Sequence, residues 1–151
     1  MKGKRPLLAL TVLLGALLAG QGTARAQFCS VSTTPVSFGI YDVFSPTPLA
    51  STGTVSYRCL LALGMTIWLS KGGAPTNDPR RMSNGSDDLK YNLYLDPAHT
   101  LIWGDPNPNA YDAGWPGLWT LHTVTIYGLI PAEQDVVAGT YTDTIVVTFQ
   151  F

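Results

Sequence analysis

A chain of 151 residues with 46% hydrophobic content is the size of one domain with a true apolar core, which excludes a disordered solvating segment. With 13% charged residues and a formal net charge of −1, it carries neither a basic field for nucleic acid nor an acidic block. Fifteen glycines and eleven prolines, beside many Thr, Tyr and Val, favour short strands joined by tight turns over helices.

At the N-terminus, Lys2, Lys4 and Arg5 precede an apolar run over 7–19, and Ala24-Arg25-Ala26 forms a small-x-small site. These features predict a secretory signal peptide over 1–26 and a mature domain over 27–151. The apolar run, about 13 residues, is shorter than the ~20 a membrane span needs, and no second hydrophobic span follows it. Export sets the reading of the only two cysteines, Cys29 and Cys59, for which a structural disulfide is the default in an oxidising compartment. Closing a loop of about 30 residues stabilises by roughly 3 to 4 kcal/mol in the chain-entropy picture. His99 and His122 have no Cys or His at zinc-site spacing, so neither a metal nor another cofactor is expected.

In the mature part, 31–41 has the pattern of a strand with a break. Val31 and Thr33 share one parity, Val36, Phe38 and Ile40 the other, and Pro35 sits at the switch, where a bulge or strand change at a sheet edge would place it. A Pro-rich loop covers 44–49. Residues 52–59 alternate cleanly, with Val55, Tyr57 and Cys59 inward and Thr54, Ser56 and Arg58 outward. Met65, Ile67 and Leu69 alternate next, then 71–79 is irregular. Residues 80–85 form a short ribbon ending in the hairpin signal Asn84-Gly85. Leu89, Tyr91, Leu93 and Leu95 make another strand; 101–103 is a short strand at most, and 104–119 a long loop. A β-rich run over 121–130 and a turn over 131–139 lead to the last stretch, 139–151. There Tyr141, Ile145, Val147, Phe149 and Phe151 lie on one parity, and Thr142, Thr144, Thr148 and Gln150 on the other. No segment sustains a 3.6-residue apolar period. Six or seven short strands at spacings near ten residues predict an all-β, antiparallel immunoglobulin-like sandwich.

Catalytic sets are missing from this pattern. Asp87 and Asp88 are adjacent, so a strand would point them to opposite faces, and a solvated turn is the expected role. The acidic and amide residues over 77–88 lack the ligand alternation of a calcium loop. Neither histidine has a Ser or Cys partner in a nucleophile motif, and no enzyme activity is expected. Asn84-Gly85-Ser86 fits the glycosylation triplet and also an ordinary turn. The segment 103–119 could bind something: Trp103 and Trp119 suit the ends of the core, while Tyr111, Trp115 and Trp119 beside Asn and Asp would also suit sugar stacking or an apolar surface.

Six landmarks in order carry a resemblance: Phe38-Gly-Ile-Tyr41, Gly53-x-Val55-x-x-x-Cys59, Leu89-x-Tyr-Asn-Leu-Tyr94, Trp103-Gly-Asp105, Tyr127-Gly128, and Ala138-Gly-Thr-Tyr-x-Asp-Thr-x-Val-Val-Thr148. Over essentially all of the mature chain the sequence resembles the spore coat protein U domain family, the domain of archaic (Csu-type) chaperone-usher pilins. The resemblance implies an incomplete sandwich lacking its last strand and a Cys29–Cys59 disulfide. It implies a groove between Val36 and Phe38 on one side and Ile145, Val147, Phe149 and Phe151 on the other, which a partner's strand fills by β-augmentation. The implied partners are a periplasmic chaperone, an outer-membrane usher and other pilin subunits, met in transit through the periplasm to the cell surface, a pilus or a spore coat. Polymerising members carry an apolar-alternating donor segment before the first cysteine, whereas here only Gln27 and Phe28 would remain, so a terminal, tip-like or coat subunit is expected. The alternative is an adhesin module that contacts a surface glycan through Tyr111, Trp115 and Trp119.

Overall fold

The computed structural model describes residues 28–60, 62, 64–104 and 109–151; the leader expected over 1–26 lies outside them. They form eight strands: β1 (Phe28–Thr34), β2 (Leu49–Leu60), β3 (Met65–Leu69), β4 (Arg80–Ser83), β5 (Asp88–Tyr94), β6 (Tyr111–Gly114), β7 (His122–Ile130) and β8 (Val147–Gln150). Five make one sheet in the order β1-β2-β7-β5-β4, and three make the second in the order β6-β3-β8. Every ladder is antiparallel, as the immunoglobulin-like expectation requires, and Cys29 and Cys59 are bonded across the β1–β2 pair, the disulfide that the resemblance implies.

Period-two sequence gives period-two burial. On β2, Gly53, Val55, Tyr57 and Cys59 are buried and their neighbours are not; on β3, Met65, Ile67 and Leu69 are. The inner faces meet around Trp103, which is fully buried and donates its indole N–H to the Ile67 carbonyl at 2.9 Å. Each fully buried aliphatic side chain of this kind contributes ~1.5 to 3 kcal/mol, so the alternation decides which face turns inward.

Three segments differ from the sequence expectation. The first strand starts earlier, at Phe28, and its ladder stops at Thr34, because Pro35 has no N–H to continue it. Beyond the proline the chain crosses onto the inner face of the larger sheet, where two glycines make room. A Cβ on Gly53 would lie 2.9 Å from Val36 Cγ2, and one on Gly128 would lie 2.7 Å from both Val36 Cγ1 and Phe38 Cζ. The segment 104–119 is not all loop, since it holds β6, whose Tyr111 turns inward against Trp103 at a centroid distance of 6.0 Å. The last stretch is laddered only over β8. Before it, 141–146 runs extended with alternating exposure and touches both sheets in turn. Thr142 exchanges two backbone bonds with Ser83 of β4 (2.9 and 3.1 Å), and Val146 then bonds Ser70 just past β3 (2.9 Å).

Candidate functional site

Where the residues after β1 face the segment leading into β8, the sandwich is open. An open groove of about 350 Å3 lies there, with Thr34, Val36 and Phe38 on one wall and Tyr141, Ile145 and Val147 on the other. Its floor is the core itself: Leu69, Met82, Leu93 and Ile126 are at most 9% exposed yet line it. Val31 lies on the same parity as Cys29 and Thr33, the inner parity of β1, and is nonetheless 45% exposed, so the uncovered strip continues toward the disulfide.

The backbone of the second wall is half used. In an antiparallel ladder alternate residues turn both amide groups to the same side. Thr142 and Val146 spend theirs on Ser83 and Ser70, and the register Thr66↔Gln150, Trp68↔Thr148 continues the even set. The N–H and C=O groups of Asp143, Ile145, Val147 and Phe149 therefore point to the open side, since among the described residues β8 has no neighbour besides β3. An apolar edge with a row of free backbone groups is a template for another strand.

Of the six residues the resemblance assigned to the groove, Val36, Phe38, Ile145 and Val147 line it. Phe149 packs edge-on against Tyr57 at 5.8 Å, and Phe151 lies past the end of β8, half exposed. Phe38 meets the Tyr91 ring edge-on at 6.0 Å.

The wall is anchored by polar residues that sequence reasoning missed. Arg80 is fully buried. Its guanidinium donates to the carbonyls of Ser70 (2.9 Å), Leu69 (3.3 Å) and Trp103 (2.6 Å) and to Asn92 Oδ1 (2.9 Å). Burial pulls its pKa below the usual arginine range, against the opposing influence of Tyr91 and Asp143. Above it, Asp143 Oδ2 accepts the Tyr91 hydroxyl at 2.7 Å and Oδ1 the Gly73 N–H at 2.9 Å, which ties the groove wall to the irregular 71–79 segment. Burial, then the Asp143 carboxylate, raises the Tyr91 pKa. The signal available beforehand was parity: Arg80 shares its face with Met82, whose partner Leu89 is a core residue.

Asp87 differs from the solvated turn expected of it. Its Oδ2 accepts the Val137 N–H at 3.0 Å and the Tyr141 hydroxyl at 3.4 Å, so it fastens the 131–140 turn to the hairpin. Backbone N–H donation from Val137, then from Asp88, holds its carboxyl below the usual carboxylate range, against a smaller desolvation penalty. Gln134 works on the same turn, its amide bonding both the N–H and the C=O of Lys90 on β5 (2.9 and 2.8 Å) like a piece of strand. Asn84 spends its Oδ1 on Ser86 and Asp87 N–H groups, the geometry of a closed turn.

The aromatic segment is divided. Trp103 is core and Tyr111 faces inward, while Trp115 is 68% and Trp119 46% exposed. Trp119 is not a core cap: at φ 56° its ring lies on the Arg58 guanidinium, 5.0 Å to the centroid, and its backbone N–H donates to the Cys59 carbonyl at 2.9 Å. His122, stacked on Tyr57 at 5.4 Å, contacts the Pro116 carbonyl through Nε2. Among the described residues no His, Cys, Asp and Glu cluster has metal-site geometry, and no helix is long and apolar enough to cross a membrane.

Comparison with known proteins agrees with this arrangement. The Spore Coat Protein U domain family profile matches residues 16–148. Protein U of Myxococcus xanthus is 34% identical over 131 residues, which cover 77% of this chain and 71% of that protein. Among solved structures, a chain in the CsuC–CsuE chaperone–tip adhesion subunit pre-assembly complex, from the archaic chaperone-usher Csu pili of Acinetobacter baumannii, superposes with a TM-score of 0.60 at 25% identity. The match covers 83% of this chain and 40% of that one.

Proposed function

Because the chain belongs to the Spore Coat Protein U domain family, we propose that it is an exported structural subunit of a chaperone-usher pilus or surface coat, completed by a strand that another protein lends it. The observation that carries this reading is the groove, whose floor is core and whose β8 wall presents unpaired backbone groups at alternate residues. A strand laid there gains main-chain bonds on one side and apolar pockets beneath. A periplasmic chaperone is the partner that fills it before assembly, and a neighbouring subunit afterwards. Acceptance without donation, at an end of an assembly or in a coat, follows from reading 1–26 as a leader; homopolymers joined through the N-terminal segment would overturn that placement.

The test is strand complementation. An alternating-apolar strand, supplied as a peptide or appended after Phe151 through a flexible linker, is expected to raise the melting temperature. It should also slow amide exchange at Asp143, Ile145, Val147 and Phe149, while Val146, Thr148 and Gln150 are protected already. Co-expression with a periplasmic chaperone should raise soluble yield in the same way. Equal yield, an unchanged cooperative melt and odd-numbered amides protected without any partner would show that the fold is complete alone.

A further inference from the structure

Outside the groove, two groups of exposed apolar side chains lie at the two ends of the sandwich, apart from the isolated Leu101, Val137 and Val146. Twelve-residue β2 spans about 40 Å, so Leu49 and Leu60 mark opposite ends. At the Leu49 end, Ile40 is 93% and Phe44 89% exposed. Phe44 is held outward by a closed turn: its N–H donates to Asp42 Oδ1 at 3.0 Å, and the Ser45 N–H donates to the Asp42 carbonyl at 3.1 Å. Tyr41 beside it is pinned by its hydroxyl to the Pro131 carbonyl and by the Gln134 N–H, both at 2.9 Å. A turn backbone fixed this way loses little further freedom on docking.

At the Leu60 end, Trp115, Leu118, Trp119 and Leu121 are exposed, next to the cross-strand pair Phe28 and Leu60. Apolar side chains grouped like this on an exported protein mark a contact surface. The charges of the two ends differ. Arg58 lies against Trp119 with no ion-pair partner among the described residues, and the nearby Asp112 spends Oδ1 on the Gly114 N–H of its own strand. The Leu49 end carries Asp42, Glu133 and Asp135, with Lys90 beside Gln134 and, across from Lys90, Arg81 paired to Asp88 at 3.5 Å.

We propose that copies of this chain dock head to tail, the Ile40–Phe44 turn of one seating on the Trp115, Leu118 and Trp119 surface of the next, with Asp42 turned toward Arg58. A second copy is the occupant that accounts for both ends at once, since each supplies what the other lacks. The contact joins two different patches, so it repeats along the long axis of the sandwich instead of closing as a symmetric pair. It is separate from the groove, which runs along the flank between β1 and β8.

Sedimentation velocity of the exported chain tests this, run with and without the complementing strand so that association through the groove edge is separated out. The wild type should associate with rising concentration, and Phe44→Asp and Trp119→Asp should each raise the midpoint concentration by more than about tenfold. An equimolar mixture of the two variants should form dimers and stop there, because only one of their two mutual contacts is intact. Circular dichroism verifies folding, and Leu118→Asp replaces Trp119→Asp should the latter misfold. A wild type that stays monomeric, association that Phe44→Asp leaves untouched, or a mixture no different from its components would overturn the proposal. Glycan binding lost in Trp119→Asp without any self-association would assign the surface to a sugar instead. None of these outcomes bears on the groove, which strand complementation tests separately.

Discussion

Replacing Arg80 with Met would take the guanidinium from the carbonyls of Leu69, Ser70 and Trp103 and from Asn92 Oδ1, of which only the last keeps another donor, the Leu93 N–H at 3.1 Å. An orphaned buried acceptor costs ~1 to 3 kcal/mol, less where water or repacking compensates, so we expect a loss of about 3 to 5 kcal/mol in denaturant unfolding. Arg80→Lys should recover little of it, as an ammonium lacks the planar fork that reaches several carbonyls at once. A loss under about 1 kcal/mol would mean that water takes over the bonds. Gly128 poses the opposite problem, too little space. Gly128→Val would drive Val36 and Phe38 off the sheet, costing ~1 to 3 kcal/mol by overpacking. The same change should weaken binding of a complementing strand, since those two residues form its wall; unchanged strand affinity in a folded Gly128→Val protein would separate the wall from the groove.

Strand parity was legible in the sequence because it is a local property: Val55-x-Tyr57-x-Cys59 needs no knowledge of its partners to declare a buried face. The switch at Pro35 and the alternation from Tyr141 onward were legible for the same reason, and they outline both groove walls. What stayed hidden depends on residues far apart in the chain. Only the parity it shares with Met82 sets Arg80 apart from Arg81, which reaches solvent and pairs with Asp88 at 3.5 Å; its acceptors are supplied from positions 69, 70, 92 and 103. Asp87 was judged by its neighbour Asp88, while its partners lie some 50 residues on, at Val137 and Tyr141. The turn it fastens should be sensitive to acid. Its folded pKa is depressed below 3.8, so its contribution is present above the unfolded value and is lost as pH falls through the folded one. The stability gap between wild type and Asp87→Asn should therefore be widest above about pH 4 and close below it. A gap constant from about pH 6 down to about pH 2 would mean that the charge is not what holds the turn.

For the molecule as a whole, the Cys29–Cys59 bond ties edge strand β1 to β2 across a sequence separation of 30 residues. Loop closure of that length predicts that Cys29→Ser with Cys59→Ser lowers stability by about 3 to 4 kcal/mol, with the loss appearing equally on reduction of the wild type. Among the described residues β1 has β2 as its one neighbour, so without the bond its seven residues rely on a single ladder. The segment from Thr142 to Gln150 has a different duty. It bonds first to the edge of one sheet and then to the other, and without it the smaller sheet is a two-stranded ribbon, marginal in water. Until this segment docks, the two sheets share no strand, so the wall of the groove and the closure of the sandwich form in one step.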